Sequence, residues 1–300
     1  MTKILESVPN YSVGKDEEII ERIVGPFKDH EDVKLLDYSA DPDHNRLVVT
    51  NVGNPEGLFE ATLETIGIAV DLIDMTEHTG EHPRMGAVDV IPFTPLRNVT
   101  MNEDVELAKR LADVAGEEYD LPIYLYEEAA TRPARTNLAT IRKGEFEGFP
   151  EKIKGDEWKP DYGPDKVHPT AGVTAIGARK PLVAFNVNLN TDDPGVAKEI
   201  AREVRGSGGG LRFCKAMGVD LEEEGLVQVS MNMTDYTRTS LQQAFELIRS
   251  EAGRYGVTIA ASEIVGLVPA DALLDAAEHY LQIKDFSSDQ VIENRLLEDL

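Results

Sequence analysis

Apolar residues recur along this chain in short alternating runs and in longer helical stripes, and the order of the two repeats. Residues 4–8 read as a strand, and residues 15–24 follow as a helix with Ile19, Ile20 and Ile23 as its apolar positions. Residues 33–38 and 47–52 are rich in β-favouring side chains and are separated by the turn-forming run Asp41-Pro42-Asp43-His44-Asn45. Asn54-Pro55-Glu56 opens a long helix to about residue 73, with proline near its first position, and residues 88–93 read as a strand. From residue 182 the order returns: a strand at 182–189, a helix capped by Asp193-Pro194 and running to 204, strands at 211–217 and 226–231, a helix at 239–255 and a strand at 257–264. Two passes of strand, helix, strand, strand, helix, strand predict an α+β fold of two ferredoxin-like βαββαβ lobes. Each is expected to be a mixed sheet with helices on one face, with the ligand between the lobes, where clefts favour binding. The halves share little sequence, so the repeat is one of architecture.

Between the repeats lie a helix (102–118), a strand (122–126) and a Gly/Pro-rich stretch from 144 to 172, long enough to suggest a functional loop. The boundary is expected at Arg179-Lys180-Pro181, giving domains 1–179 and 180–300. The end of the chain, 270–281 and 288–300, reads as helical and acidic.

Composition narrows the picture. Of 300 residues, 41% are hydrophobic, enough for packed cores. No run approaches the roughly 20 apolar residues that cross a bilayer, and Glu6 arrives too early for a secretory signal. One cysteine, Cys214, excludes an internal disulfide framework. A cytoplasmic location is expected. The net charge of -25 repels nucleic acid and anionic membranes. Between 132 and 180, however, ten Lys/Arg face seven Asp/Glu. That locally basic stretch is a candidate holder of a small anion.

The densest polar cluster is Glu77-His78-Thr79-Gly80-Glu81-His82-Pro83-Arg84-Met85-Gly86. His78 and His82 are four apart, a spacing that binds metal on a helix, but Gly80 and Pro83 oppose a helix there. A zinc-protease signature would also need Glu where Thr79 stands, so no metal is expected. On a loop the cluster suits proton transfer, since imidazole titrates near neutrality. Glu81 is a candidate to orient the ring and raise its pKa, and Arg84 to hold a substrate carboxylate in a bidentate pair. A histidine merely hydrogen-bonded in a tight turn would give the same local sequence. Cys214 sits in an apolar run and reads as inert core. Gly206-Ser207-Gly208-Gly209-Gly210 lacks the ending of a phosphate-binding loop and reads as a flexible link. The run Gly163-Pro164-Asp165-Lys166-Val167-His168-Pro169-Thr170-Ala171-Gly172 is stiffened by two prolines and bracketed by glycines. It is either a ligand-contacting segment, with Trp158 and Tyr162 upstream able to stack on a flat heterocycle, or an ordered interdomain loop.

Several stretches together resemble the glutamate formimidoyltransferases. They are Ser7-Val8-Pro9-Asn10-Tyr11-Ser12, Asp74-Met75, Gly80-Glu81-His82-Pro83-Arg84-Met85-Gly86-Ala87, Tyr124-Leu125-Tyr126, Gly163 to Gly172, Gly177-Ala178-Arg179, Ala184-Phe185-Asn186-Val187-Asn188-Leu189, and Val265-Gly266-Leu267-Val268-Pro269. The resemblance runs in order through nearly the whole chain. It implies transfer of a formimino group from N-formimino-L-glutamate to N5 of tetrahydrofolate, a step of histidine degradation and one-carbon metabolism. It further implies His82 as general acid/base, Gly163 to Gly172 as the folate contact, tetrahydrofolate as co-substrate without a metal, and a homodimer. In animals the module is fused to a cyclodeaminase, and here a separate cyclodeaminase is expected. One departure stands out: where the family has a second acid of a D-x-D motif, this chain has Ser39, leaving Asp37 or Asp41 to pair with the imidazole. Two rival readings stay open, namely formyl transfer between glutamate and tetrahydrofolate (5-formyl-tetrahydrofolate metabolism) and non-catalytic folate binding.

Overall fold

The computed structural model describes residues 2–297, so the last three residues of the expected C-terminal helix, 298–300, lie outside the described residues. The chain divides into two compact units, Met1–Arg179 and Lys180–Leu300.

In the first unit, β1 (Ile4–Ser7) and β2 (Asn10–Tyr11) lie between the same two neighbours and are separated by Val8-Pro9, where proline has no N–H to give the ladder. Helix α1 (Glu17–Asp29) starts at Asp16, whose carboxylate accepts from the amides of Glu18 and Ile19. It runs past the residue-24 end expected from sequence, through Pro26, because the next turn buries Phe27 completely. Strands β3 (Val33–Asp41) and β4 (Arg46–Gly53) form a hairpin, with Asn45 in the left-handed region at φ 47°. Asn54 caps α2 (Pro55–Leu72), and β5 (Val88–Arg97) follows a loop. Helix α3 (Met101–Glu118) opens with a reciprocal cap between Thr100 and Glu103 and leads to β6 (Ile123–Glu127). The long connection that follows contains α4 (Leu138–Arg142) and α5 (Glu145–Lys152) before β7 (Thr174–Ala178). Strand β4 lies between β3 and the β1/β2 path, all antiparallel, with β5 on the far side of that path. Strand β7 then pairs parallel with both β5 and β6. The result is a mixed seven-stranded sheet.

The expectation of helices on one face is corrected in this unit. Ile123, Tyr124, Leu125 and Tyr126 are all buried, so β6 is apolar on both sides. Ile123 and Leu125 join the large core that includes residues of α1, α2 and α3. Tyr124 and Tyr126 pack with Val90, Ile141 of α4 and Phe149 of α5 in a second cluster. The 144–172 stretch, read as a loop, thus carries a helix whose Phe149 helps to cover the sheet's other side.

The second unit has β8 (Val183–Leu189), α6 (Pro194–Val204), β9 (Cys214–Leu221), β10 (Leu226–Met233), α7 (Leu241–Arg254) and β11 (Ile259–Val265), then α8 (Ala270–Leu281) and α9 (Ile292–Leu297). Its strand order is β11-β8-β10-β9, and every pairing is antiparallel, so the expectation of a mixed sheet is corrected here too. Val183, Phe185, Val187 and Leu189 alternate into its core, with Asn186 and Asn188 between them on the opposite face. Strand β9 starts three residues later than expected, because 211–213 make the turn out of the glycine run. Those glycines permit close packing: a Cβ on Gly208 would lie 1.9 Å from the Arg202 carbonyl oxygen. Cys214 is buried and its thiol is pushed up to about 12 by that burial, in keeping with inert core.

Candidate active site

The loop joining α2 to β5 is fastened from three sides. From the β3–β4 turn, the Asp43 carbonyl accepts the Glu81 amide and Asn45 Nδ2 donates to the Thr79 carbonyl. From the 168–172 turn, the Thr170 carbonyl accepts the Met75 amide and the Ala171 carbonyl accepts the Ala87 amide, while the Val173 amide donates to the Met85 carbonyl. From α5, the Phe146 amide donates to the Arg84 carbonyl. Glycines allow these approaches: a Cβ on Gly80 would sit 2.3 Å from the His44 carbonyl oxygen, and one on Gly86 2.2 Å from that of Val173.

The two histidines of the loop have different fates. His78 Nε2 hydrogen-bonds the Asn45 carbonyl at 2.9 Å, and its Nδ1 accepts from Arg84 Nε at 3.3 Å. Both nitrogens are committed, and burial pushes its pKa down. His82 makes no hydrogen bond to any described residue. Burial, followed by the charges of Arg46, Arg142 and His44, lowers its pKa to about 3, with Asp41 opposing. The ring is therefore held as a neutral imidazole with both nitrogens free of hydrogen bonds to described residues, and the lowered pKa makes it a weaker base than an ordinary histidine.

The sequence expected a carboxylate to orient this ring and raise its pKa, and the shift runs the other way. Glu81 is exposed and holds the loop through its backbone. Asp37 is exposed on β3. Asp41 is turned toward His44, whose Nδ1 lies 2.7 Å from Asp41 Oδ2. The His44 ring meets that of His82 edge-on, 6.4 Å between centroids, so Asp41 bears on His82 across a second imidazole. Arg84 is nearly buried, and its guanidinium reaches Glu145 at 2.8 Å and Glu147 at 2.6 Å, besides His78. It ties the loop to α5.

Within the 163–172 segment, His168 and Gly172 exchange backbone hydrogen bonds of 3.1 Å each, and His168 Nδ1 accepts from the Ala171 amide at 2.9 Å. A cavity of about 350 Å³ lies between Asp165, Lys166, Val167, His168 and Pro169 on one side and Phe146, Pro150, Ile153 and Lys154 on the other. Gly163 and Gly172 have φ of 77° and 74° at the two ends of the segment. Pro164, Thr170 and Ala171 complete it, with Ala171 buried beneath the His82 loop. Trp158 is not a free stacking surface: Lys152 Nζ lies 4.0 Å from its ring centroid. Tyr162 packs against the main core.

Sequence reading missed His44, Arg46 and the specific role of Arg142, which it counted only as part of a basic window. Most cations of that window fasten the structure. Arg135 is fully buried on Asp161 and the carbonyls of Glu157 and Lys159. Lys152 donates to the carbonyls of Thr140, Ile141 and Lys143, capping α4, and its burial lowers its pKa to about 8. Lys154, Lys159 and Lys180 pair with Glu151, Asp165 and Asp235. Among the described residues no group of three or more His, Cys, Asp or Glu side chains is placed to hold a metal ion, and no helix is long and apolar enough to cross a membrane.

Comparison with known proteins matches residues 4–179 to the formiminotransferase domain, N-terminal subdomain, and residues 184–297 to the formiminotransferase domain. The chain is 53% identical over 298 residues to the glutamate formimidoyltransferase of Streptococcus pyogenes serotype M1, covering 99% of this chain and 100% of that one. It is 46% identical over 295 residues to the glutamate formimidoyltransferase of Thermoplasma acidophilum, covering 98% and 97%. Against the formimidoyltransferase-cyclodeaminase of Mus musculus identity is 45% over 287 residues, covering 93% of this chain and 53% of the relative. A chain matched from end to end at this identity, with its His82 loop and its 163–172 segment inside the matched region, belongs to the formiminotransferase family.

Proposed function

We propose that this enzyme transfers the formimino group of N-formimino-L-glutamate to N5 of tetrahydrofolate, giving 5-formimino-tetrahydrofolate and L-glutamate. The observation that carries the reading is His82: half-buried and without a hydrogen bond to any described residue, on a loop pinned by backbone contacts to the 168–172 turn. N5 attacks the amidine carbon of the donor, and the neutral imidazole takes the N5 proton. The same proton then goes to the glutamate nitrogen, whose bond to carbon breaks as glutamate leaves. Amidinium is already electrophilic, so the step asks the protein for positioning and one proton relay. Residues Gly163 to Gly172 are assigned to the folate, with the cavity beside Lys166 and His168 as their support.

In this reading 1–179 is the subdomain with the catalytic loop and 180–300 the C-terminal subdomain, each with a ferredoxin-like core. The strand sequence β3-β4-β1/β2-β5 in one unit and β9-β10-β8-β11 in the other supports that description. A cytoplasmic homodimer, with ammonia released by a separate cyclodeaminase, completes the proposal. Relatives with the transferase name alone match this chain over almost their full length.

His82→Ala is expected to lower turnover by about 10² to 10⁴ while tetrahydrofolate affinity stays near normal. Glutamate release from formimino-glutamate, with and without tetrahydrofolate, measures it, and near-wild-type turnover removes His82 from the mechanism. In the wild type the acid limb of kcat/KM due to this ring should lie well below the usual histidine range, since its pKa is lowered. Running formyl-glutamate beside the formimino donor separates formimino from formyl transfer.

A further inference from the structure

Arg46 opens β4, directly across from Asp41, and follows Asn45, which is hydrogen-bonded to both His78 and Thr79 of the catalytic loop. Its Nε is buried and has no acceptor, and its guanidinium makes no hydrogen bond or ion pair among the described residues. The acids whose charges act on it are committed elsewhere. Asp41 accepts from the amides of Asp43 and His44, each at 2.9 Å, and from His44 Nδ1. Asp89 accepts from the Met85 amide at 3.0 Å and pairs with Arg142. The Nε of Arg142 is buried without an acceptor as well.

Buried guanidinium donors left unpaired are costly, and their persistence points to an acceptor that arrives with a ligand. A planar fork of N–H groups fits a carboxylate or a phosphate, and the substrates of the proposed transfer carry carboxylates. Both guanidiniums act on His82 more strongly than any other charge. Arg84, the residue that sequence alone nominated for a substrate carboxylate, is held by Glu145 and Glu147.

We propose that Arg46, seconded by Arg142, binds a carboxylate of the glutamate half of the formimino donor and so sets the amidine carbon beside His82. This rests on the formimino-transfer reading and assigns the donor subsite within it. One consequence follows from the charges. A carboxylate placed against the two guanidiniums offsets the field that depresses the imidazole, so donor binding makes His82 a stronger base when there is a proton to take.

The test uses Arg46→Gln and Arg46→Lys in the full chain. Arg46→Gln should raise KM for formimino-glutamate roughly 10- to 100-fold, the usual size of a charged hydrogen-bond loss, and leave KM for tetrahydrofolate within about twofold. Arg46→Lys should lie between it and the wild type. By calorimetry, L-glutamate should bind the wild type and bind Arg46→Gln at least about tenfold more weakly. By NMR titration, saturating L-glutamate should raise the His82 pKa in the wild type and not in Arg46→Gln, a readout that a structural role would not produce. Unchanged glutamate affinity in Arg46→Gln overturns the proposal. So does an equal weakening toward glutamate and tetrahydrofolate with a lowered melting temperature. Arg46-dependent glutamate binding in a wild type that releases no glutamate from formimino-glutamate would uphold the subsite and sink the transfer reading instead.

Discussion

At the scale of single residues, His78 and His82 share a loop and differ in what their nitrogens touch. His78 spends both on the loop's own architecture, while both His82 nitrogens are without a hydrogen bond to any described residue, the arrangement that the proposed proton relay needs. Asp104 is a second buried titratable group, with neither carboxylate oxygen hydrogen-bonded. Burial, helped by Glu103, raises its pKa from 3.8 to about 7. A raised folded-state value means the native chain holds a proton that the unfolded chain has released. The stabilisation is complete below the unfolded pKa and is lost as pH rises through the folded one. Asp104→Asn, which mimics the protonated acid, should therefore raise the melting temperature relative to the wild type at about pH 8 and do so far less near pH 4. An equal difference at both values would show that ionisation of this group is not the cause.

At the scale of elements, the site depends on how turns are joined to one another. The β3–β4 turn supplies His44 and Arg46, the α2–β5 loop supplies His82, and the 168–172 turn closes against that loop. Gly172 combines a left-handed backbone with a close approach at this joint. Its φ is 74°, and a Cβ there would meet the Met85 carbonyl oxygen at 2.4 Å. Gly172→Ala should cost about 1–3 kcal/mol by chemical denaturation, from the left-handed backbone and the close approach. It should also lower turnover, because the displaced strand carries the His82 loop with it. A variant with native stability and native turnover would show that the turn and the loop are not coupled. Helix α4 belongs to the same assembly: Lys152 caps its carbonyl end and so fixes Arg142, its last residue.

At the scale of the molecule, the charge of -25 is spread over a surface whose basic residues are largely engaged in pairs and caps. Self-repulsion of that size opposes compaction, and salt screens it, shortening the Debye length from about 10 Å at ~0.1 M to about 3 Å at ~1 M. Raising KCl over that range should raise the melting temperature, and a fall would mean that local ion pairs outweigh the global repulsion. Anionic substrates meet the same field, so KM for both should fall as modest salt is added, until the ion pair proposed between Arg46 and the donor carboxylate is screened in turn.

The hydrophobic periodicity by itself determined the repeated strand–helix order of both units, because alternation and helical stripes report on which side of each segment is buried, but it did not reveal α4, α5 or β7. The helix starts at Asn54 and Asp193 were equally legible, since caps act over two or three residues, whereas the cap at Asp16 was seen only in the structure. His82 and the 163–172 segment stood out through glycine and proline punctuation and through resemblance to a family. The covering of the first sheet on both faces, the all-antiparallel second sheet, and the partners of each charge were decided only by the fold. Arg84 looked free in the sequence and is bound, whereas Arg46 drew no notice and makes no hydrogen bond or ion pair among the described residues. The reason is physical: periodicity reports burial, but the pairing of charges depends on distances between residues far apart in the chain, such as Arg84 and Glu145 or Asp89 and Arg142, which only packing brings together.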